Sequence, residues 1–211
     1  MKNLRKYGQP PYSIVLIHGG PGAAGELYPV AKELSTSAGI IEPFQKGLTI
    51  DDLIHELDAA VTGYADLPVI LIGHSWGAWL ACLFTAQYGF MVDRLVLIAS
   101  PPFEYKYEYD VMQTRMRRLD SKEKKQVRAL ISRLDKPGGM DKNDTFRKLG
   151  TILRKADSYD PISMEEMKTE YDYTIHKSIW KEASMLRGSG YMLESCRKIK
   201  CPVLAIHGTY D

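Results

Sequence analysis

Apolar residues in this chain of 211 residues occur as short continuous runs, separated by longer stretches in which apolar and polar positions mix. A run that does not alternate with polar residues is typical of a strand covered on both faces, as in a parallel sheet. The pattern predicts strands at 13–17, 39–42, 68–72, 94–99 and 203–206.

Helical spacing lies between these runs. Helices are predicted at about 26–36, 49–64 and 78–88. Thr49, followed three residues later by Asp52, is an arrangement that starts helices, and Leu53, Leu57 and Val61 then share one face. Strands that alternate with helices predict an α/β fold, a mostly parallel sheet flanked by helices with right-handed crossovers. Little room is left before Ser13 for a further strand.

The segment after Phe103 has a different texture, without strand-like runs and rich in Met, Arg, Lys and Tyr. Apolar residues recur at helical spacing, and 136–139 breaks the helical pattern. The apolar positions that define these helices are Met112, Met116, Leu119, Val127, Leu130, Ile131 and Leu134. We therefore predict a core in two parts, 1–103 and 199–211, with a helical cap inserted at 104–198.

Composition fits one globular domain with an insertion, at 45% hydrophobic and 26% charged residues. No apolar stretch approaches the roughly 18 residues that span a bilayer. Three cysteines, Cys82, Cys196 and Cys201, have no metal-ligand spacing, and their odd number argues against a disulfide framework. Reduced thiols in a cytoplasmic protein without a membrane segment are the prediction.

A basic run at 115–128 raises the question of nucleic-acid binding. Acidic residues interrupt it at Asp120 and Glu123, and it coincides with an amphipathic helical pattern. A solvated helix face explains this better than a nucleic-acid site, because no recognition motif accompanies the charge.

The sequence Gly-His-Ser-Trp-Gly at 73–77 lies between a predicted strand and a predicted helix. In that context G-x-S-x-G forms a tight turn, the nucleophile elbow, which lifts the serine hydroxyl clear of the sheet. Ser75 is therefore the predicted nucleophile.

A second loop, His-Gly-Gly-Pro-Gly at 18–22, follows the first buried strand. Acyl-transfer chemistry on such a sheet takes one oxyanion donor from this loop and one from the residue after the nucleophile. The predicted donors are the backbone N–H groups of Gly20 and Trp76. Each motif alone is weak evidence, but the two in this order, each after its own strand, are strong.

On these two motifs the chain resembles the α/β-hydrolase superfamily. The His-Gly-Gly-Pro-Gly loop and Trp76 are similar to the branch that contains prolyl iminopeptidases, although esterases and carbon–carbon bond hydrolases share the loop. The resemblance implies a triad in the order serine, acid, histidine, with Asp211 as the acid and Glu104 as a fallback. It also implies that the cap covers the elbow, with Gly19, Phe103 and His176 lining the substrate pocket.

The base histidine that the resemblance implies would follow Asp211, where the sequence ends. Of the five histidines, His18, His74 and His207 are predicted to be structural, His55 to lie on a polar helix face and His176 to lie in the cap. We interpret the chain as a fragment that lacks the last strand, helix and base. The alternative is a chain without a triad.

The sequence thus predicts a serine hydrolase that acts on a carboxylic ester through an acyl-enzyme on Ser75. A prolyl iminopeptidase-like aminopeptidase is the first alternative, with Glu108, Glu165, Glu166 or Glu170 of the cap holding the substrate ammonium. A non-catalytic ligand-binding protein of the same fold is the second. A small molecule or short peptide is the expected partner, and no metal or cofactor is needed by these motifs.

Overall fold

The computed structural model describes residues 3–138, 141–159 and 169–209. In chain order the strands are β1 (Leu4–Tyr7), β2 (Tyr12–Ile17), β3 (Ala23–Ala24), β4 (Gly39–Pro43), β5 (Val69–His74), β6 (Val92–Ile98), β7 (Glu170–Tyr171) and β8 (Val203–Ile206). The helices are α1 (Tyr28–Leu34), α2 (Ile50–Tyr64), α3 (Trp76–Gln87), α4 (Glu108–Arg118), α5 (Ser121–Asp135), α6 (Lys142–Asp157), α7 (Tyr173–Gly188) and α8 (Tyr191–Cys196).

The main sheet has the order β1-β4-β2-β5-β6-β8. Its strands are parallel except β1, which pairs antiparallel with β4. Helices cover both faces, so the predicted fold class, a mostly parallel sheet flanked by helices, is confirmed. Strand β2 has β4 as its neighbour on one side and β5 on the other, so the order of the strands reverses between β2 and β5. The carboxyl ends of β2 and β5 therefore form a topological switch point, which is where such sheets bind ligands.

Alternation along the buried strands assigns their side chains to the two faces. Val15 and Ile17 pack with the helices α2 and α3, while Leu16 packs against Ala31 of α1. The predicted start of α2 is also confirmed. The Thr49 hydroxyl accepts a hydrogen bond from the Asp52 N–H at 3.1 Å, and the Asp52 carboxylate accepts one from the Thr49 N–H at 3.2 Å.

Four expectations from the sequence were wrong. The segment before Ser13 does contain a strand, β1, which the charged pair Arg5 and Lys6 concealed because an edge strand need not be apolar. The segment after Phe103 contains a short strand, β7. Ile131 and Met112 were expected on buried helix faces, but both are exposed, and α5 buries Val127, Leu130 and Leu134 against α6 instead. Strand β8, expected to be covered on both faces, is exposed along its whole length.

Between β6 and β8 the described chain is otherwise mainly helical, and we refer to 104–198 as the cap segment. Helices α5 and α6 share a small apolar core with the end of α4. The segment also contacts the glycine-rich loop, because β7 pairs antiparallel with β3. Within the described ranges, no helix is both long and apolar enough to cross a membrane.

Candidate active site

Ser75 has a backbone conformation that few residues other than glycine adopt. It lies between β5 and α3 with φ 51° and ψ −121°, and its N–H donates to the Ile98 carbonyl at 2.9 Å. Such a conformation is strained by about 1–3 kcal/mol and persists only where the surroundings enforce it. A side chain on Gly73 would overlap the Gly77 carbonyl, and one on Gly77 would overlap the carbonyl of Ile17. The two glycines are therefore required by close packing.

The glycine-rich loop at 18–22 lies beside this turn, because β2 and β5 are neighbours with Ile17 opposite Gly73. A Cβ atom built on Gly19 would lie 3.1 Å from the Ser75 Cβ. The structure thus brings Gly19, a predicted pocket residue, against Ser75.

Two backbone N–H groups near Ser75 are open. Trp76 is the first residue of α3, so its N–H has no acceptor within the helix. The Gly20 N–H lies in the loop next to Gly19, and the Gly20 carbonyl accepts from the Ala23 N–H at 2.9 Å to close a turn. Within the described part of the chain, neither the Gly20 nor the Trp76 N–H makes a hydrogen bond. Both can donate to a developing oxyanion.

Gln45 connects the glycine-rich loop to Trp76, a link that sequence reasoning missed. Its Oε1 accepts from the Trp76 indole N–H at 2.8 Å, and its backbone N–H donates to His18 Nε2 at 3.4 Å. His18 Nδ1–H in turn donates to the Gly19 carbonyl at 2.8 Å. Burial lowers the pKa of His18, which fits the neutral tautomer that these bonds require. The predicted structural role of His18 agrees with these contacts.

Glu26 is a second residue that sequence reasoning missed, since nothing near it in the chain marks it. Its carboxylate accepts from the Gly19 N–H at 2.5 Å and from His74 Nδ1 at 2.9 Å. Burial by itself raises the pKa of this carboxyl, but the hydrogen bond and charge of His74, the charge of His18 and the Gly19 N–H together outweigh burial and lower the pKa below its ordinary value. The carboxylate is therefore ionised at neutral pH.

The cap segment reaches the site through His176 of α7. Its Nδ1–H donates to the Pro21 carbonyl at 3.2 Å, and its ring lies 4.4 Å from the Phe146 ring and 6.2 Å from that of Trp180. Burial lowers the pKa of His176 to about 4, so the imidazole is neutral at pH 7.

Phe103, the remaining predicted pocket residue, packs its ring 6.3 Å from the Trp79 ring of α3. The predicted pocket residues thus lie on three different segments, of which the glycine-rich loop and the cap segment are in contact.

The predicted acid Asp211 lies outside the described residues, as do Glu165 and Glu166. Glu104 is exposed and pairs with Lys106 at 2.9 Å.

No described histidine makes a hydrogen bond with the Ser75 hydroxyl. His55 is exposed and lies 3.4 Å from Asp51, so it is on a polar face as predicted. No group of three His, Cys, Asp or Glu side chains in the described ranges could hold a metal ion.

A switch-point sheet with a strained serine at the elbow and a glycine-rich loop beside it defines the α/β-hydrolase class. Residues 37–211 match the serine aminopeptidase family S33, which covers most of the sequence. The chain belongs to that family.

Individual relatives resemble only part of the chain or only its fold. Mouse epoxide hydrolase 3 is 35% identical over 63 residues, which are 30% of this chain and 17% of the mouse protein. A carboxylesterase of the thaumarchaeon Nitrososphaera gargenis superposes with a TM-score of 0.61 at 18% identity, over 98% of this chain and 75% of that one.

A meta-cleavage product hydrolase of Pseudomonas fluorescens gives a TM-score of 0.61 at 15% identity, again over 98% of this chain and 75% of the other. At such identities these structures show the shared fold alone.

Proposed function

We propose that this protein is a serine hydrolase that cleaves a carboxylic ester through an acyl-enzyme on Ser75. The observation that carries the proposal is the strained backbone of Ser75 between two glycines that cannot be larger, with open N–H groups at Gly20 and Trp76. Strain held in place by its surroundings is typical of functional sites. The family match supports a hydrolase of this fold.

The reaction follows from these groups. The Ser75 oxygen attacks the ester carbonyl carbon and its proton passes to a base. The carbonyl oxygen becomes an oxyanion, which accepts hydrogen bonds from Gly20 and Trp76. The C–O bond to the alcohol then breaks, the alcohol leaves with a proton, and an acyl-serine remains. Water attacks that ester in the same way and releases the acid.

A base is required because a serine hydroxyl is a poor nucleophile at its ordinary pKa. The family resemblance implies an imidazole oriented by Asp211 for this role, and Asp211 is our proposed acid. Labelling of the 211-residue chain measures directly whether Ser75 is activated in it.

The experiment is the rate of labelling by a fluorophosphonate probe, with Ser75→Ala as the variant. We expect slow labelling of the native chain that Ser75→Ala abolishes, because the oxyanion donors assist attack on the probe although no described histidine makes a hydrogen bond with the Ser75 hydroxyl. Ser121→Ala, at an exposed position that begins α5, is the matched control and should label at the native rate. Labelling that persists in Ser75→Ala would contradict the assignment of the nucleophile.

An aminopeptidase is the second candidate, favoured by the name of the matched family. It needs an acidic group for the substrate ammonium. Glu170 is a poor choice for this role, because Lys46 lies 3.1 Å and Arg5 lies 4.0 Å from its carboxylate. Turnover of p-nitrophenyl acetate beside that of proline p-nitroanilide separates the two candidates. Ligand binding without labelling of Ser75 would instead support the non-catalytic protein.

A further inference from the structure

Glu26 contacts both loops that form the candidate site. Its carboxylate is mostly buried, at 17% exposed, and it joins the Gly19 N–H of the glycine-rich loop to His74, the residue directly before Ser75. A Cβ built on Gly19 would touch three groups at once: the Glu26 carboxylate, His74 Nδ1 at 3.0 Å and the Ser75 Cβ at 3.1 Å. The carboxylate and the imidazole therefore lie against the nucleophile turn.

An ordinary structural role does not explain this position. Glu26 lies just before α1, where an acidic side chain often caps the helix, but α1 receives no side-chain capping bond and has no acidic residue in its first turn. The carboxylate turns instead towards the loop at 18–22. By binding the Gly19 N–H it fixes the His18–Gly19 peptide, which directly precedes the peptide that carries the open Gly20 N–H.

The charge of Glu26 is a difficulty for the proposed reaction. A carboxylate near the place where an oxyanion forms would oppose that charge, and the opposition is strong in a site from which water is excluded. The hydrogen bond from His74 at 2.9 Å supplies a compensating positive charge or dipole. Glu26 and His74 are thus expected to act as one unit.

We propose that Glu26 is a positioning residue for hydrolysis at Ser75. It holds the His18–Gly19 peptide so that the N–H of the next residue, Gly20, faces the oxyanion, while His74 balances the charge of Glu26. The inference rests on the proposed function. It predicts a specific coupling between the two side chains. Replacing His74 alone should slow the reaction at Ser75 more than replacing both Glu26 and His74.

The test compares Glu26→Gln, His74→Gln and the double variant, using the maximal rate of fluorophosphonate labelling separately from probe affinity. We expect roughly a tenfold loss for Glu26→Gln and roughly a hundredfold loss for His74→Gln, less than or comparable to loss of an oxyanion donor. The double variant should recover to near the Glu26→Gln rate, because the unbalanced carboxylate is gone. Glu33→Gln, an exposed carboxylate on α1, is the control and should label at the native rate.

A merely structural pair would show the same coupling in the free energy of unfolding, because a buried charge left without its partner is costly. It would leave the maximal labelling rate of the folded protein unchanged in all three variants. That outcome would overturn the proposal, as would a His74→Gln rate equal to the native one.

A second measurement does not depend on activity. In ¹⁵N-labelled protein the Gly19 amide proton should resonate downfield and move upfield in Glu26→Gln, and the imidazole of His74 should titrate at lower pH in that variant. If the native chain labels no faster than Ser75→Ala, the proposed function fails while these resonances still test the position of Glu26. Unchanged Gly19 and His74 signals in Glu26→Gln would overturn the inference.

Discussion

At the scale of single residues, Gln45 shows how a polar side chain can hold two functional loops together inside a core. It is 5% exposed and provides the acceptor for the indole N–H of Trp76, which is itself 1% exposed. A buried donor left without its partner costs about 1–3 kcal/mol. Gln45→Leu should therefore lower the free energy of unfolding by about that amount in urea titrations, and slow labelling of Ser75 as Trp76 shifts.

The control for this prediction is Gln126→Leu, because Gln126 is exposed on α5. It should change the free energy of unfolding by no more than about 0.5 kcal/mol. If Gln45→Leu were as stable as Gln126→Leu, the hydrogen bond to Trp76 would not contribute to the stability of the site.

At the scale of elements, the glycine-rich loop and helix α7 meet at Gly22. The Gly22 carbonyl accepts from the Asp172 N–H at 2.8 Å, and β3 pairs with β7 on the next residues. Gly22 has φ +75°, and a side chain there would overlap the Asp172 carbonyl. Gly22→Ala should therefore separate the loop from α7. We expect faster hydrogen exchange at the Asp172 amide and slower labelling of Ser75.

Gly190→Ala is a matched control for the backbone strain, because Gly190 has φ +79° but has nothing within 4 Å of its would-be Cβ. Both substitutions share the strain of the left-handed region, roughly 1 kcal/mol. Only Gly22→Ala adds the overlap, so it should be the more destabilising of the two. Equal losses of stability would mean that contact between the loop and α7 does not depend on Gly22.

Elements of this chain differed in how well the sequence predicted them. The position of strand β8 at 203–206 and the start of α2 at Thr49 were correct, since an apolar run and a capping pattern are local signals, but the expected burial of β8 was not, because burial depends on what packs against the strand. The edge strand β1 and the two-residue strand β7 were missed, because their pairing partners, not their own composition, define them. Glu26 and Gln45 were missed for the same reason. Their partners His74 and Trp76 are far along the chain.

At the scale of the whole molecule, buried titratable groups should make the protein less stable in acid. Burial lowers the pKa of His176 from its ordinary 6.5 to about 4. The unfolded chain therefore binds a proton between about pH 6.5 and 4 that the folded chain does not, and stability falls as the pH falls through that window. Burial also lowers the pKa of His18, in the same direction.

The difference for His176 amounts to roughly 3 kcal/mol once the pH is below both values. Glu26 adds a loss at lower pH, because a carboxyl whose pKa is lowered in the folded state stabilises the protein above its ordinary pKa and ceases to do so as it is protonated. The free energy of unfolding should thus fall in two steps as the pH is lowered. The first step comes from histidines that stay neutral in the folded protein, and the second from protonation of the Glu26 carboxylate.

His176→Gln separates the first step from the second, since glutamine can still donate to the Pro21 carbonyl but does not titrate. Urea unfolding between pH 7 and 4 should show a shallower decline in this variant than in the native chain, by up to one proton of slope. His55→Gln, at an exposed histidine on α2, controls for replacing a histidine as such. Parallel curves for the native chain and His176→Gln would show that His176 is protonated in the folded protein over the same pH range as in the unfolded chain. In that case its hydrogen bond to Pro21 would have to survive with a charged ring, and burial would not govern the link between the cap segment and the glycine-rich loop.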